Sequence, residues 1–110
     1  PPTNQRINPA AELEAAGIEF AFRPARDRLS SIRGLFYHLG TLVKCGLSRE
    51  AALKAVTSIP ARWLEVSKDV GSLEKGKTAN LIGFSRDPLA SPLSELNLVI
   101  LDGTVVVTRP

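Results

Sequence analysis

The run LNLVIL-DG-TVVVT, Leu96 to Thr108, constrains this chain more than any other stretch of it. Asp102-Gly103 between two β-rich segments predicts a two-residue hairpin, because that turn needs positive φ at both central positions. One further β segment lies nearby, Ala79 to Ser85, set between a Gly76-Lys77 turn and an Asp87-Pro88 turn. Three strands are few. A hairpin with one neighbour leaves apolar faces and unpaired edges, and such sheets take partners from elsewhere.

The first half of the chain has the mirror problem. Asn8-Pro9 starts a helix with a capping side chain and a proline at the first helical position, and AAELEAAG carries it to Gly17. IEFAF, Ile18 to Phe22, then reads as a short buried strand. After the polar loop RPARDRLSS, a helix begins near Ser30 or Ser31. Ile32, Leu35, Phe36, Leu39, Leu42 and Val43 fall on one of its faces, and Gly46 stops it. LSREAALKAVTSIP predicts a second amphipathic helix, with Ser48 as its cap, Glu50 at its positive end and Ala52, Leu53 and Val56 inward. Pro60 opens a short third helix through Ala61, Trp63 and Leu64. Helix, glycine and buried strand is the order of an alternating α/β protein, yet a single strand cannot pair with itself. Both halves read as fragments of larger sheets, dividing near Lys68 into residues 1–67 and 68–110.

Composition narrows the function classes. With 44% hydrophobic and 23% charged residues the chain is ordinary for a globular domain. The net charge of +3 comes from dispersed Lys and Arg. Arg23, Arg26 and Arg28 are interrupted by Asp27 and lack an aromatic platform, so no nucleic-acid partner is expected. Cys45, the only cysteine, excludes an internal disulfide and a Cys-based zinc cluster, and reads as a small buried filler. No apolar run is long enough to span a bilayer, and no membrane partner is expected. No signal peptide opens the chain; a cytoplasmic location is favoured. The Pro-Pro start without Met looks like the interior of a longer polypeptide.

Three ordered motifs carry a resemblance. Ala51-x5-Thr57-x2-Pro60-Ala61, Gly71-x-Leu73-x2-Gly76-Lys77-x-Ala79-Asn80-Leu81 and Leu101-Asp102-Gly103-x-Val105 resemble the C-terminal region of the metal-dependent amidohydrolase superfamily. That group includes dihydroorotases, imidazolonepropionases and adenine deaminases. The likeness runs from about Gly17 to Val107, and Asn80 stands where aspartate is more usual. The resemblance implies an α/β fold: the last strand–helix unit of a TIM-like (β/α) barrel plus the C-terminal part of a small β-sandwich, incomplete in this chain. Ile18 to Phe22 would be the last barrel strand and Ile32 to Cys45 its helix. Gly71 to Asn80 would be a tight crossing anchored by Leu73 and Leu81, with Trp63 at the junction of barrel and sandwich. The N-terminal remainder of the same protein would supply the missing strands.

The resemblance also implies a chemistry. Such proteins hydrolyse C–N bonds of amides or cyclic amides in small molecules, using one or two divalent metal ions, zinc foremost. Their His-x-His pair has no counterpart here, since His38 is the only histidine, so the metal site is not contained in this chain. The family's last-strand aspartate has one candidate, Asp27, two positions later than the pattern and flanked by Arg26 and Arg28. In one reading Asp27 is the ligand or proton acceptor; in the other it is a surface residue of a degenerate, non-catalytic scaffold, because arginines beside a dication are unfavourable. Those arginines would also suit an anionic substrate group. His38 and Tyr37 are expected on the outside of the helix, Lys77 in a solvated turn, and Ser48, Ser58 and Ser72 have no histidine partner close in sequence. Homo-oligomerisation is left open.

Overall fold

The computed structural model describes residues 8–22, 34–91 and 93–109 of the 110-residue chain. Among these, helices α1 Pro9–Ala15, α2 Leu35–Lys44, α3 Arg49–Val56 and α4 Ser58–Trp63 precede strands β1 Leu81–Phe84, β2 Leu96–Leu101 and β3 Thr104–Thr108.

Local chemistry accounts for the helices. The Asn8 side chain accepts the Ala11 N–H at 3.2 Å, and Pro9 occupies the first position, where no amide donor is needed. The same side chain donates through Nδ2 to the Leu42 carbonyl at 3.0 Å, so one residue caps α1 and ties it to the end of α2. Ser48 caps α3 by accepting the Ala51 N–H at 3.1 Å. Helix α4 begins at Ser58, two residues before Pro60. A proline within the first turn displaces no intrahelical bond, so the helix starts ahead of it.

The apolar stripe of α2 turns Leu39 into the core. It meets Ala10, Leu47 and Ala52, and the small Ala52 lets α3 approach closely. Cys45 is exposed, against expectation: it lies past the last turn of α2 on the solvent side, and Leu47 fills the interior place. Ile18 to Phe22 does not form a strand. A strand is defined by a ladder, and the described partner of this segment is a helix, through the Phe22 N–H donated to the Ala55 carbonyl at 3.0 Å. Phe20 and Phe22, edge to face at 5.4 Å, pack against the core instead.

The strands form one antiparallel sheet in the order β1-β2-β3. The hairpin has the expected bounds, with Asp102 at φ 49° and Gly103 at φ 78°. Val99 opposes Val107 and Ile100 opposes Val105, so Val106 is the extra residue of a bulge. A second shift, between Gly83 and Phe84, leaves Asn97 extra in β2. Strand β1 is shorter than the Ala79 to Ser85 expectation, although Ser85 still donates its N–H to the Glu95 carbonyl at 2.9 Å.

The connection from β1 to β2 joins sheet to helices. Leu89, on this loop, is 3% exposed and belongs to the same core as Leu39. Its carbonyl lies so close to α2 that a Cβ on Gly40 would stand 2.6 Å from the oxygen. Phe36 meets Phe84 edge to face at 5.3 Å, and Arg49 of α3 pairs with Asp87 at 2.8 Å. Asp87 also accepts the Leu89 N–H at 3.0 Å, which shapes the turn that delivers the leucine.

The sheet itself is poorly covered. No described strand residue is fully buried, and Leu101, Val105 and Val106 are more than half exposed. Leu73, expected to anchor the crossing, is 81% exposed, and Trp63 is 54% exposed, because nothing in the described residues packs over either side chain. No described helix is long and apolar enough to cross a membrane.

Two outcomes follow from this packing. The 110-residue piece made alone will self-associate through its bare apolar faces, and a monomer in sedimentation velocity would contradict that. In the full-length protein, Leu89→Ala costs about 2–5 kcal/mol through its cavity, and Gly40→Ala about 1–3 kcal/mol through overpacking. Both are read from urea midpoints.

Candidate functional site

The segment Ile18–Phe22 precedes RPARD in the sequence, and α3 and α4 hold it in place. Glu19 is bonded to Arg62 of α4, while the Phe22 backbone is bonded to α3. Asp27, with Arg23, Arg26 and Arg28, lies outside the described residues. The chemistry assigned to Asp27 therefore has no geometry on either reading.

Among the described residues, the other candidates have no partners that would make a reacting centre. His38 and Tyr37 are exposed on α2, their rings 6.0 Å apart and edge to face. The Ser48 hydroxyl donates to Glu14 and accepts the α3 cap bond, so it is a structural group. Lys77 lies in the expected turn, between exposed neighbours, but its own side chain is largely covered. Its side chain is 16% exposed and folds back so that Nζ donates to Ser72 Oγ at 2.7 Å and pairs with Glu74 at 3.3 Å. Among the described residues, no group of three or more His, Cys, Asp or Glu side chains could hold a metal ion. The donor set of these residues does not fit a catalytic metal.

Among the described residues, α3, α4 and β1 enclose a groove of about 760 Å³. Leu53, Val56, Leu64, Val66, Leu73 and Ile82 make it apolar, with the Arg49–Asp87 pair at its rim. Its described lining holds no nucleophile–base pair, and its character is that of an open apolar surface. Gly71 shapes its floor: at φ 103° its absent Cβ would meet the Ala61 Cβ at 2.6 Å, so a side chain there would be both strained and blocked.

Two polar devices went unforeseen. Glu14 accepts the Ser48 N–H at 3.0 Å and also the Ser48 hydroxyl, which gives α3 a capping box whose glutamate comes from α1. The spacing of 34 residues hides it, since the sequence signature requires the glutamate three positions after the cap. Asn80 Oδ1 accepts the Asp102 N–H at 2.7 Å, and the Ala79 carbonyl accepts the Gly103 N–H at 3.0 Å. The second and third sequence motifs are thus one unit, in which residues 79–80 pin the hairpin turn.

Residues 4–107 match the model of the Amidohydrolase family, and the chain belongs to that family. The crystal structure of an amidohydrolase from Thermotoga maritima MSB8 superposes with a TM-score of 0.82 at 27% identity. The match covers 93% of the present chain and 26% of that one, so the chain spans about a quarter of its relative's length. The family is one of hydrolases whose members are generally metal-dependent.

The Ser48 hydrogen bonds, hydroxyl first and amide second, hold the Glu14 carboxyl below its ordinary 4.5. The Arg62 hydrogen bond does the same for Glu19. A carboxyl lowered on folding contributes stability that is complete above its unfolded value and is lost as pH falls through the folded one. Glu14→Gln should therefore speed amide exchange at Ser48 and Ala51 at neutral pH and leave it unchanged in strong acid. An equal effect at both pH values would refute the charge-based account.

Proposed function

We propose that this chain is the C-terminal portion of a metal-dependent hydrolase acting on C–N bonds, amide or cyclic amide, of a small molecule. Residues 1–67 contribute the last strand–helix unit of a TIM-like barrel with the helices that follow, and residues 68–110 contribute the C-terminal part of a small β-sandwich. The observation that carries this reading is the match to an amidohydrolase over 93% of this chain but 26% of the relative. The uncovered apolar surfaces of the sheet and groove support it, since they suit neighbours supplied by the N-terminal remainder of the same polypeptide. Ile18 to Phe22, which has no ladder among the described residues, becomes the last barrel strand once an adjacent strand is present.

The divalent metal, zinc in this proposal, belongs to residues of that remainder, because the described donors here do not fit one. Asp27 is this chain's contribution to the reaction. It follows the Ile18–Phe22 segment, at the end of a barrel strand where such active sites lie.

A second reading has its own support. Asp27 stands between Arg26 and Arg28 and later than the family pattern requires, which favours a degenerate relative serving as a scaffold or binding surface.

Asp27→Ala in the full-length protein, with folding checked by circular dichroism, separates the two. The hydrolase reading expects turnover to fall by orders of magnitude and metal analysis of the intact wild type to find a bound divalent ion. Unchanged turnover removes Asp27 from the reaction. A well-folded, metal-free and inactive wild type establishes the scaffold.

A further inference from the structure

Asp102-Gly103 has a chemical property independent of hydrolase activity. Glycine has no side chain to hinder its amide nitrogen, so in a pliant chain that nitrogen can attack the aspartate Cγ. The new N–Cγ bond closes a five-membered imide as a Cγ–O bond breaks, and that oxygen leaves as water with the amide proton and a second proton, the carboxyl's own or one from solvent. Water then adds back to the imide. Opening at the side-chain carbonyl restores aspartate; opening at the main-chain carbonyl leaves an isoaspartyl link, in which the backbone runs through the side-chain methylene. One water leaves and one returns, and nothing is oxidised.

Both residues are exposed, so bulk water reaches the turn. Their two amides are nevertheless engaged: Asp102 N–H is donated to Asn80 Oδ1 at 2.7 Å, and Gly103 N–H, the nucleophile of the reaction, to the Ala79 carbonyl at 3.0 Å. The positive φ of both residues belongs to the tight turn that these bonds pin. An amide donating to a carbonyl and held in that turn is not free to swing onto Cγ.

We propose that Asp102 is a backbone-isomerisation site latched by Asn80 and Ala79, reacting when the hairpin turn comes off residues 79–80. The product adds a main-chain atom to a two-residue turn, which breaks the match between turn and ladder on which the β2–β3 register depends. A slow opening event would thereby become a permanent lesion in the sheet. Asn80 holds the latch through a neutral acceptor, and an aspartate at that position would keep an acceptor in place.

Isoaspartate at residue 102 is quantified by peptide mapping in the full-length protein at neutral pH. The comparisons are a synthetic peptide spanning residues 96–108 and the wild type held in denaturant. Native wild type should isomerise at least about tenfold more slowly than either, the ratio that one ordinary hydrogen bond supports. Asn80→Ala should recover much of that rate while Asn80→Asp stays slow. Native protein reacting as fast as the peptide would overturn the proposal. So would Asn80→Ala remaining as slow as wild type, or no isoaspartate in the denatured chain. If Asn80→Ala does not fold, native against denatured wild type still decides whether the folded turn is the brake.

Discussion

Among the described residues, the tertiary contact between the helical half and the sheet is built around the close approach of Leu89 to Gly40. The loop from β1 to β2 must descend far enough for Leu89 to reach Leu39, Leu47 and Ala52, and that depth brings a backbone carbonyl against α2 where only hydrogen on Cα fits. Phe36 on Phe84 and Arg49 on Asp87 then brace the contact from either side. The ion pair lies at the surface and adds little by itself. The leucine is what excludes water, so the hydrophobic term dominates.

A second constraint operates at the far end of the sheet. Residues 79–80 and 102–103 are separated by more than twenty positions yet share two hydrogen bonds, so the path of the chain into β1 and the turn between β2 and β3 are set together. This explains why an Ala-Asn-Leu stretch and a Leu-Asp-Gly stretch occur as an ordered pair in the sequence. One supplies acceptors and the other supplies donors. Gly71 performs the complementary task upstream, letting the chain pass Ala61 at a distance no side chain permits.

The surfaces left open are as informative as the contacts made. The groove between α3, α4 and β1 and the faces of β2 and β3 expose Leu64, Leu73, Leu101 and Val105, a distribution that a self-sufficient domain avoids. The chain belongs to the Amidohydrolase family over residues 4–107 and spans 26% of a related amidohydrolase. Trp63 and Leu73 are exposed at 54% and 81%, because burial depends on what other residues reach a side chain and not on the local pattern around it.

The local elements were legible where a short-range rule governs them. The hairpin bounds follow from Asp-Gly, the start of α1 from Asn8-Pro9 and the cap of α3 from Ser48, because turn geometry and helix-end amides are satisfied within a few residues. The three motifs that carry the family resemblance are likewise local stretches of the chain. The strand expected at Ile18–Phe22 was not realised, because pairing belongs to a neighbour and not to the segment's own apolar pattern. The burial of Leu89, the exposure of Cys45 and Leu73, the Glu14 arm of the α3 cap and the Asn80 latch were likewise decided only in three dimensions. Each depends on what another part of the chain brings within a few ångströms, and sequence separation carries no distance.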